Sequence, residues 1–514
     1  MPHAVRMASL RHGASGSRRP SYGLWQGRLS GTQALPLPRS AFGRTLEGRI
    51  KLSRRHACLT PWKTQSRIIG GHAAPLVRFF YMSELQSILD AVKTGDRNVV
   101  TEALAAFPGD HSAPDSTLVA AIAVKESGFN DLARTLLTSL TKVSPDYALG
   151  HYELAVMDRY AGEHHAAITR LRTASRLDPK DFRIRFLLAH LLFAVRDTEE
   201  ALAVAGALDA FTDDQQRQVE SLVSWGRYVQ TFSKGRARRI GEEVRRTHHW
   251  LGPHEVAERI RGALETRTGF ALVRLGDGEG VFAQVSPEDE LAYKEIYQFN
   301  RQNWTSFLFG EGFDAQFTGY ASLTGTLMSE VVKADILGIP YPTWVDYEYD
   351  TASLQGVPCL LNIHRWLLAN RSPSPPAVCD QLMHGYLHND GLIEPILRSQ
   401  SEISLISCLP SLPELLKERF GIKDVEFYQV PSEKTAPHLS GMGITGDGHF
   451  PLLFWTMIQR LSQPHHGRLF IVAAGTLGKY YATVIKRHGG VALDLGSIVD
   501  AWSRLASRPM YRDL

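Results

Sequence analysis

Two carboxylates two residues apart, Asp277 and Glu279, stand among Gly276, Gly278 and Gly280, directly after the apolar run Phe270–Leu275. On a regular strand they would point the same way. Flanked by glycine, the chain can turn tightly and bring both to one hard cation, or to one cation and one sugar hydroxyl. A divalent ion such as Mn2+ or Mg2+ held there can bridge protein and diphosphate and neutralise charge on a departing nucleotide. The same spacing also suits an acidic turn whose carboxylates face water, so the pattern alone leaves both readings open.

A second candidate lies near the C-terminus, in A-A-G-T-L-G-K-Y-Y from Ala473 to Tyr481. Gly475 and Gly478 stand at a strand-to-helix turn, where backbone N–H groups can face a phosphate. Asp494 ends the next apolar run. Ala473 stands where a dinucleotide fingerprint has its first glycine, and close helix–strand packing would need the same small residues. His384 and His388, four apart in C-D-Q-L-M-H-G-Y-L-H, fall on one face of a helix. They suit a substrate pocket, half of a zinc site that lacks a third ligand, or a purely structural role. His438 and His449 flank the loop Gly441–Gly448, which holds Asp447 and could cover a site.

The elements that position these residues follow from apolar patterning. Phe270–Leu275, Ile403–Ser407, Val425–Val430, Leu469–Ala473 and Val491–Leu495 read as strands. Leu412–Phe420, Phe450–Leu461 and Leu477–His488 read as helices between them. Strands alternating with helices predict a mostly parallel sheet covered on both faces, with ligands beyond the carboxyl ends of its strands.

Ahead of this half lies a 34-residue period. Ala121, Ala155 and Ala189 recur at that interval, as do Ala133, Ala167 and Ala201, Gly128 and Gly162, Pro145 and Pro179, and Tyr152 and Phe186. Small residues let the two helices of a hairpin approach, and proline stops the second. The third unit departs, with Arg196 in the glycine position and Asp213 in the proline position. Units of this length and pattern resemble tetratricopeptide repeats over about 114–215, which stack into concave surfaces for partners. Residues 83–107 read as a capping hairpin.

Residues 1–81 hold 14 Lys/Arg and one acid, Glu47, within a chain of net charge +4. The rest of the 514 residues is therefore mildly acidic, with no broad nucleic-acid surface. The leader has no apolar period. An organellar transit peptide, a basic arm, and sequence outside the native protein, with Met82 as its start, all fit. The expected divisions are a leader at 1–81, repeats at 82–225, a helical connection at 226–266 and the α/β domain at 267–514. No run of 18 apolar residues predicts a transmembrane segment. Four cysteines without a C-x-x-C pair suggest a reducing, cytoplasmic setting. P-loop and nucleophile-elbow motifs are missing, which argues against a P-loop ATPase and an α/β-hydrolase.

The signature Arg274-Leu275-Gly276-Asp277-Gly278-Glu279, R-x-G-D-G-E, resembles that of the GT-D glycosyltransferases, bacterial enzymes with a Rossmann-like sheet and a D-x-E metal motif. Similar in order and spacing are Ala334–Pro340, the strand Ile403–Ser407 with the helix Pro413–Phe420, and the block A-A-G-T-L-G-K with Val491–Asp500. The likeness covers about 267–503. It implies a GT-D-like catalytic domain that moves a sugar from a nucleotide-sugar donor, such as a UDP-sugar, to a protein or glycan acceptor with Mn2+ or Mg2+. Asp277 and Glu279 would be the metal and diphosphate residues, and Arg274, Gly276, Gly278, Gly475, Gly478 and Asp494 would lie at the donor. The repeats would aid acceptor or partner recognition. The general base stays open among Asp314, Asp346, Glu348, Asp350 and Asp447. Two rival readings remain: a non-catalytic scaffold with a nucleotide-binding half, and a methyltransferase or dehydrogenase built on the 468–494 unit.

Overall fold

A computed structural model describes residues 75–107, 114–208, 212–309, 318–370, 374–432 and 449–504. Residues 1–74, Asp314, His438 and the loop with Asp447 lie outside them. All described residues fall within one compact unit, 36–514.

Helices come first, in antiparallel pairs: α1 (Pro75–Thr94) with α2 (Arg97–Ala106), α3 (Pro114–Glu126) with α4 (Asn130–Val143), α5 (Ala148–Tyr160) with α6 (His164–Leu177), and α7 (Phe182–Ala194) with α8 (Thr198–Gly206). Met82 lies inside α1. The alanines of the period pack at the helix crossings: Ala121, Ala133, Ala155, Ala167, Ala189 and Ala201 are all fully buried. The first helices α3, α5 and α7 each end on the same three hydrogen bonds and then on a left-handed residue. That residue is Gly128 (φ 91°), Gly162 (φ 78°) and, in the third unit, Arg196 (φ 68°). The fold thus keeps the cap where the sequence loses the glycine.

Three longer-range helices follow, α9 (Asp213–Thr231), α10 (Lys234–Thr247) and α11 (Pro253–Thr266). The α/β domain then runs β1 (Phe270–Arg274), α12 (Asp277–Gly280), α13 (Pro287–Ala292), α14 (Lys294–Phe309), α15 (Thr318–Val331), β2 (Ile336–Ile339), α16 (Pro342–Asp350), α17 (Gly356–Ala369) and β3 (Ala377–Asp380). It continues with α18 (Met383–Asn389), α19 (Ile393–Arg398), β4 (Glu402–Ser407), α20 (Leu412–Phe420), β5 (Asp424–Gln429), α21 (Phe454–Leu461), β6 (Leu469–Ala473), α22 (Gly475–Arg487), β7 (Val491–Asp494) and α23 (Ile498–Trp502).

The seven strands form one parallel sheet in the order β3-β2-β1-β7-β6-β4-β5. From β1 the chain winds outward on one side to β3, then crosses and returns inward on the other, ending beside β1. The two windings meet at β1 and β7, where an open α/β sheet offers its crevice. Alternate strand residues serve two cores. Ala271, Val273, Leu337, Phe470 and Ala492 pack under α15, α17, α21 and α22. Leu272, Ile336, Ile471, Val491 and Leu493 pack under α11, α18, α19, α20 and α23. A third core joins the repeats to the domain: Ile184, Trp225 and Tyr228 from the helical region pack with Tyr297, Val345, Leu354 and Leu361.

The left-handed Arg196 makes a prediction. An L-residue there costs roughly 1 kcal/mol that glycine would not, partly offset by glycine's greater freedom when unfolded. Arg196→Gly should therefore stabilise by about 0.5 kcal/mol, and Gly162→Ala should destabilise by about 1 kcal/mol. Urea midpoints of the two variants should move in opposite directions from wild type.

Candidate functional site

The site is built on Asp494, the last residue of β7, beside Arg274, the last residue of β1. The Arg274 backbone N–H donates to Asp494 Oδ2 at 3.0 Å, its Nε donates to the Asp494 carbonyl at 2.9 Å, and its Nη2 lies 3.3 Å from Oδ1. Lys479, on the second turn of α22, donates from Nζ to Asp494 Oδ2 at 2.6 Å. All three residues are buried. Arg274 and Lys479 hold the Asp494 carboxyl below the usual carboxylate range against the opposing effect of burial. His384 closes the other side, with its ring nitrogens 2.9 and 3.0 Å from Arg274 Nη1. Gly496 lets the guanidinium in: a Cβ there would stand 2.0 Å from Nη2.

The D-G-E segment is not an open loop but the short helix α12. Glu279 turns back and accepts the Gly276 N–H at 2.8 Å, the reciprocal cap of a helix start. Its other oxygen accepts from Thr476 Oγ1 at 3.0 Å, with Lys479 Nζ at 3.8 Å. The two acids therefore part company. Glu279 is buried and ties α12 to α22, while Asp277 stays half-buried and accepts the Gly278 N–H at 3.1 Å. Trp344, Trp304, Gln381 and Thr476 stand around Gly276 and Gly278.

A further carboxylate joins this group. Glu348, on α16, accepts from Trp344 Nε1 at 2.9 Å and is also hydrogen-bonded by Ser353. Burial pushes it up to about 7. The Asp277 charge adds to that rise, and the bonds from Ser353 and Trp344 oppose it. Sequence reasoning left Glu348 among five acids, because spacing carries no signal of burial. The structure separates the described three. Asp346 is bound by Arg238 through two 2.8 Å contacts, Asp350 pairs with Lys234, and both lie away from Asp277 on the α10 side.

The remaining sequence candidates divide. Gly475 opens α22 with φ 56°, at a helix N-terminus beside Thr476. Gly478 packs on β6, where a Cβ would meet Val472 at 3.0 Å. His384 belongs to the Arg274 cluster, whereas His388, on the same helix α18, sits beside Trp502, 3.4 Å from its Nε1. His449 bonds Tyr481 at 2.7 Å, and burial lowers it to about 4. Among the described residues, no three His, Cys, Asp or Glu converge as a metal cage. A cation that bridges to a diphosphate needs only one or two protein carboxylates, which Asp277 with its neighbours supplies. The arrangement thus offers one accessible carboxylate, one carboxyl that exchanges a proton near neutrality, two indole walls and a helix N-terminus suited to an anion.

Residues 251–432 match the family described as a GT-D fold-like domain, and residues 159–225 match a tetratricopeptide repeat. The chain joins tetratricopeptide repeats to a GT-D-like domain. The GT-D-like match spans β1 to β5 with Arg274, Asp277, Glu279 and Glu348, and begins inside the segment expected as a helical connection; α22 and Asp494 lie beyond it. No curated protein matches the chain. Among solved structures, a mutant O-GlcNAc transferase from Thermobaculum terrenum aligns over 80% of this chain and 74% of its own, at 12% identity and a TM-score of 0.20. The GT-D-like domain supports glycosyltransferase activity as a class. No helix among the described residues is long and apolar enough to cross a membrane.

Two outcomes follow from this geometry. Glu348 is raised from 4.5 to about 7 on folding, so the folded protein holds its proton more tightly. The stability this gives is present below about pH 4.5 and is lost as pH rises through 7. Glu348→Gln should melt with wild type near pH 4.5, yet be more stable at pH 8.5 by on the order of 2–3 kcal/mol; calorimetric scans at both pH values decide. Asp494→Asn leaves two buried cations short of one charge and should cost about 3–5 kcal/mol at neutral pH.

Proposed function

We propose that the chain transfers a sugar, a hexosyl group, from a nucleotide-sugar donor such as a UDP-sugar to a protein or glycan acceptor. The GT-D-like match carries the reading, and the crevice at β1 and β7 supports it with an arrangement of groups suited to that chemistry. The donor diphosphate rests near the N-terminus of α22, with Asp277 on its other side. A divalent ion, Mn2+ or Mg2+, would be held by Asp277 and supplies charge to the leaving diphosphate when bound. Trp304 and Trp344 flank the glycine turn and exclude water from one side of the donor. Glu348 takes the proton of the attacking acceptor hydroxyl, a task that suits a carboxyl titrating near 7. Arg274, Lys479, Asp494 and Glu279 do not touch the reacting atoms in this reading; they hold the turn in place. The buried cysteines Cys359 and Cys379 suit a reducing, cytoplasmic setting.

The test separates the two acids of the D-G-E segment. Asp277→Asn should lower donor turnover about a hundredfold or more, which corresponds to roughly 3 kcal/mol of lost stabilisation, and should weaken the dependence on Mn2+. Glu279→Gln should instead lower the melting temperature while leaving the Mn2+ concentration for half-maximal turnover within about threefold, because its oxygens serve Gly276, Thr476 and Lys479. In wild type, a nucleotide-sugar at about 100 times its Kd should stabilise by roughly 2.7 kcal/mol in a thermal-shift assay. Normal turnover by Asp277→Asn, or no stabilisation by any nucleotide-sugar, removes the reading.

A further inference from the structure

Between α16 and α17 the chain runs through Thr351, Ala352, Ser353 and Leu354, all buried. Four consecutive carbonyls there accept hydrogen bonds from side chains of other helices. Arg159 of α5 donates from Nε to Thr351 O at 2.7 Å and from Nη2 to Ala352 O at 3.2 Å. Trp225 of α9 donates to Ser353 O at 3.1 Å, and Asn300 of α14 donates to Leu354 O at 3.4 Å. His190 of α7 also bonds the Ala352 backbone. The grip thus comes from α5 and α7, the first helices of two successive pairs, and from α9 and α14. Arg159 is buried and makes no ion pair among the described residues, so its charge is met by peptide oxygens instead of a carboxylate. Its planar fork spans two carbonyls, which a lysine cannot do. Ala352 is fully buried at φ 50°, a left-handed conformation that an alanine keeps only where its surroundings impose it.

This segment is joined to the site. Ser353 bonds the Glu348 carboxyl, its N–H donates to Glu348 O at 2.8 Å, and its Oγ accepts the Gly356 N–H at 2.8 Å. Gly356 opens α17, whose Cys359 backbone lies so close to α12 that a Cβ on Gly280 would stand 2.1 Å from Cys359 O. We infer that Arg159 and Trp225 are positioning residues, through which the repeat helices hold Glu348 and the start of α17 in place beside Asp277. The inner face of these repeats is then filled by the chain's own residues 351–354, not left as a groove for acceptor. The catalytic part of the inference rests on the glycosyltransferase reading; the mechanical part does not.

The experiment uses the full chain and four variants: Arg159→Met, Arg159→Lys, Trp225→Phe and, as a control in the exposed pair Arg172–Glu200, Arg172→Gln. Amide hydrogen exchange over 345–360 should quicken at least tenfold in Arg159→Met and Trp225→Phe, stay unchanged over 270–275 and 491–494, and be partly restored in Arg159→Lys. Donor hydrolysis should show kcat reduced about tenfold with KM for donor within twofold, and Arg172→Gln should match wild type throughout. Trp225→Phe removes the indole N–H but keeps an aromatic ring, at the cost of some buried volume, so it decides should Arg159→Met fail to fold. Unchanged exchange over 345–360, or exchange that quickens evenly along the whole chain, overturns the inference. Wild-type protein that turns over no nucleotide-sugar overturns the glycosyltransferase reading, while the exchange pattern still judges the mechanical coupling.

Discussion

The carboxylate of Asp494 is the point on which the crevice depends. It is buried at the meeting of the two windings of the sheet and holds Arg274 of β1 and Lys479 of α22. Burying such charges costs several kcal/mol per ion unless each is paired and hydrogen-bonded. The pairing is close to complete: backbone N–H, guanidinium and ammonium all converge on one residue. Its return is specificity of arrangement more than raw stability. With Lys479 fixed, its charge also lies beside Glu279, Glu279 caps α12, and the cap sets where Asp277 can point. The residues that read as donor ligands in sequence are thus bound to one another, with Asp277 the half-buried carboxylate among them.

The helical repeats enter this scaffold as a second support. They share a core with α14, α16 and α17, and their buried polar groups reach the backbone beyond α16. Repeats stack by nearest-neighbour contacts and leave a face free for a partner. Here the face formed near α5, α7 and α9 is occupied from within the chain. A partner for the repeats would therefore find its room elsewhere on them.

Much of the fold was legible because it rests on local pattern. The 34-residue period of small residues marked the helix pairs, and apolar runs marked β1, β4, β5, β6 and β7. β2 and β3, Ile336–Ile339 and Ala377–Asp380, escaped as strands; they are defined by their long-range pairing with each other and with β1. Asp277 and Glu279 drew notice by their glycines, but their opposite fates did not. The signal was present in the three-residue spacing of Gly276 and Glu279, which is that of a helix cap. His384 and His388 looked equivalent at four-residue spacing, yet α18 sends one to Arg274 and the other to Trp502. Arg159 and Trp225 lie more than a hundred residues from the segment they hold, a distance no local pattern spans.

Asp277 and Glu348 show what the scaffold accomplishes chemically. Two carboxylates near one another cannot both be ionised cheaply, and their environments decide which gives way. Asp277 is half-buried at the start of α12, where it accepts the Gly278 N–H. Glu348 is enclosed by Trp344, Ser353 and the start of α17, and there burial outweighs the hydrogen bonds and the distant positive charge of Arg159. Of the two, Glu348 is the carboxyl that its enclosure raises to about 7. That pairing of a half-buried carboxylate with an enclosed carboxyl needs no unusual residue. It needs only that the turn after β1 and the segment after α16 be held from opposite sides, the first by Asp494 and Lys479, the second by the helices that precede the sheet.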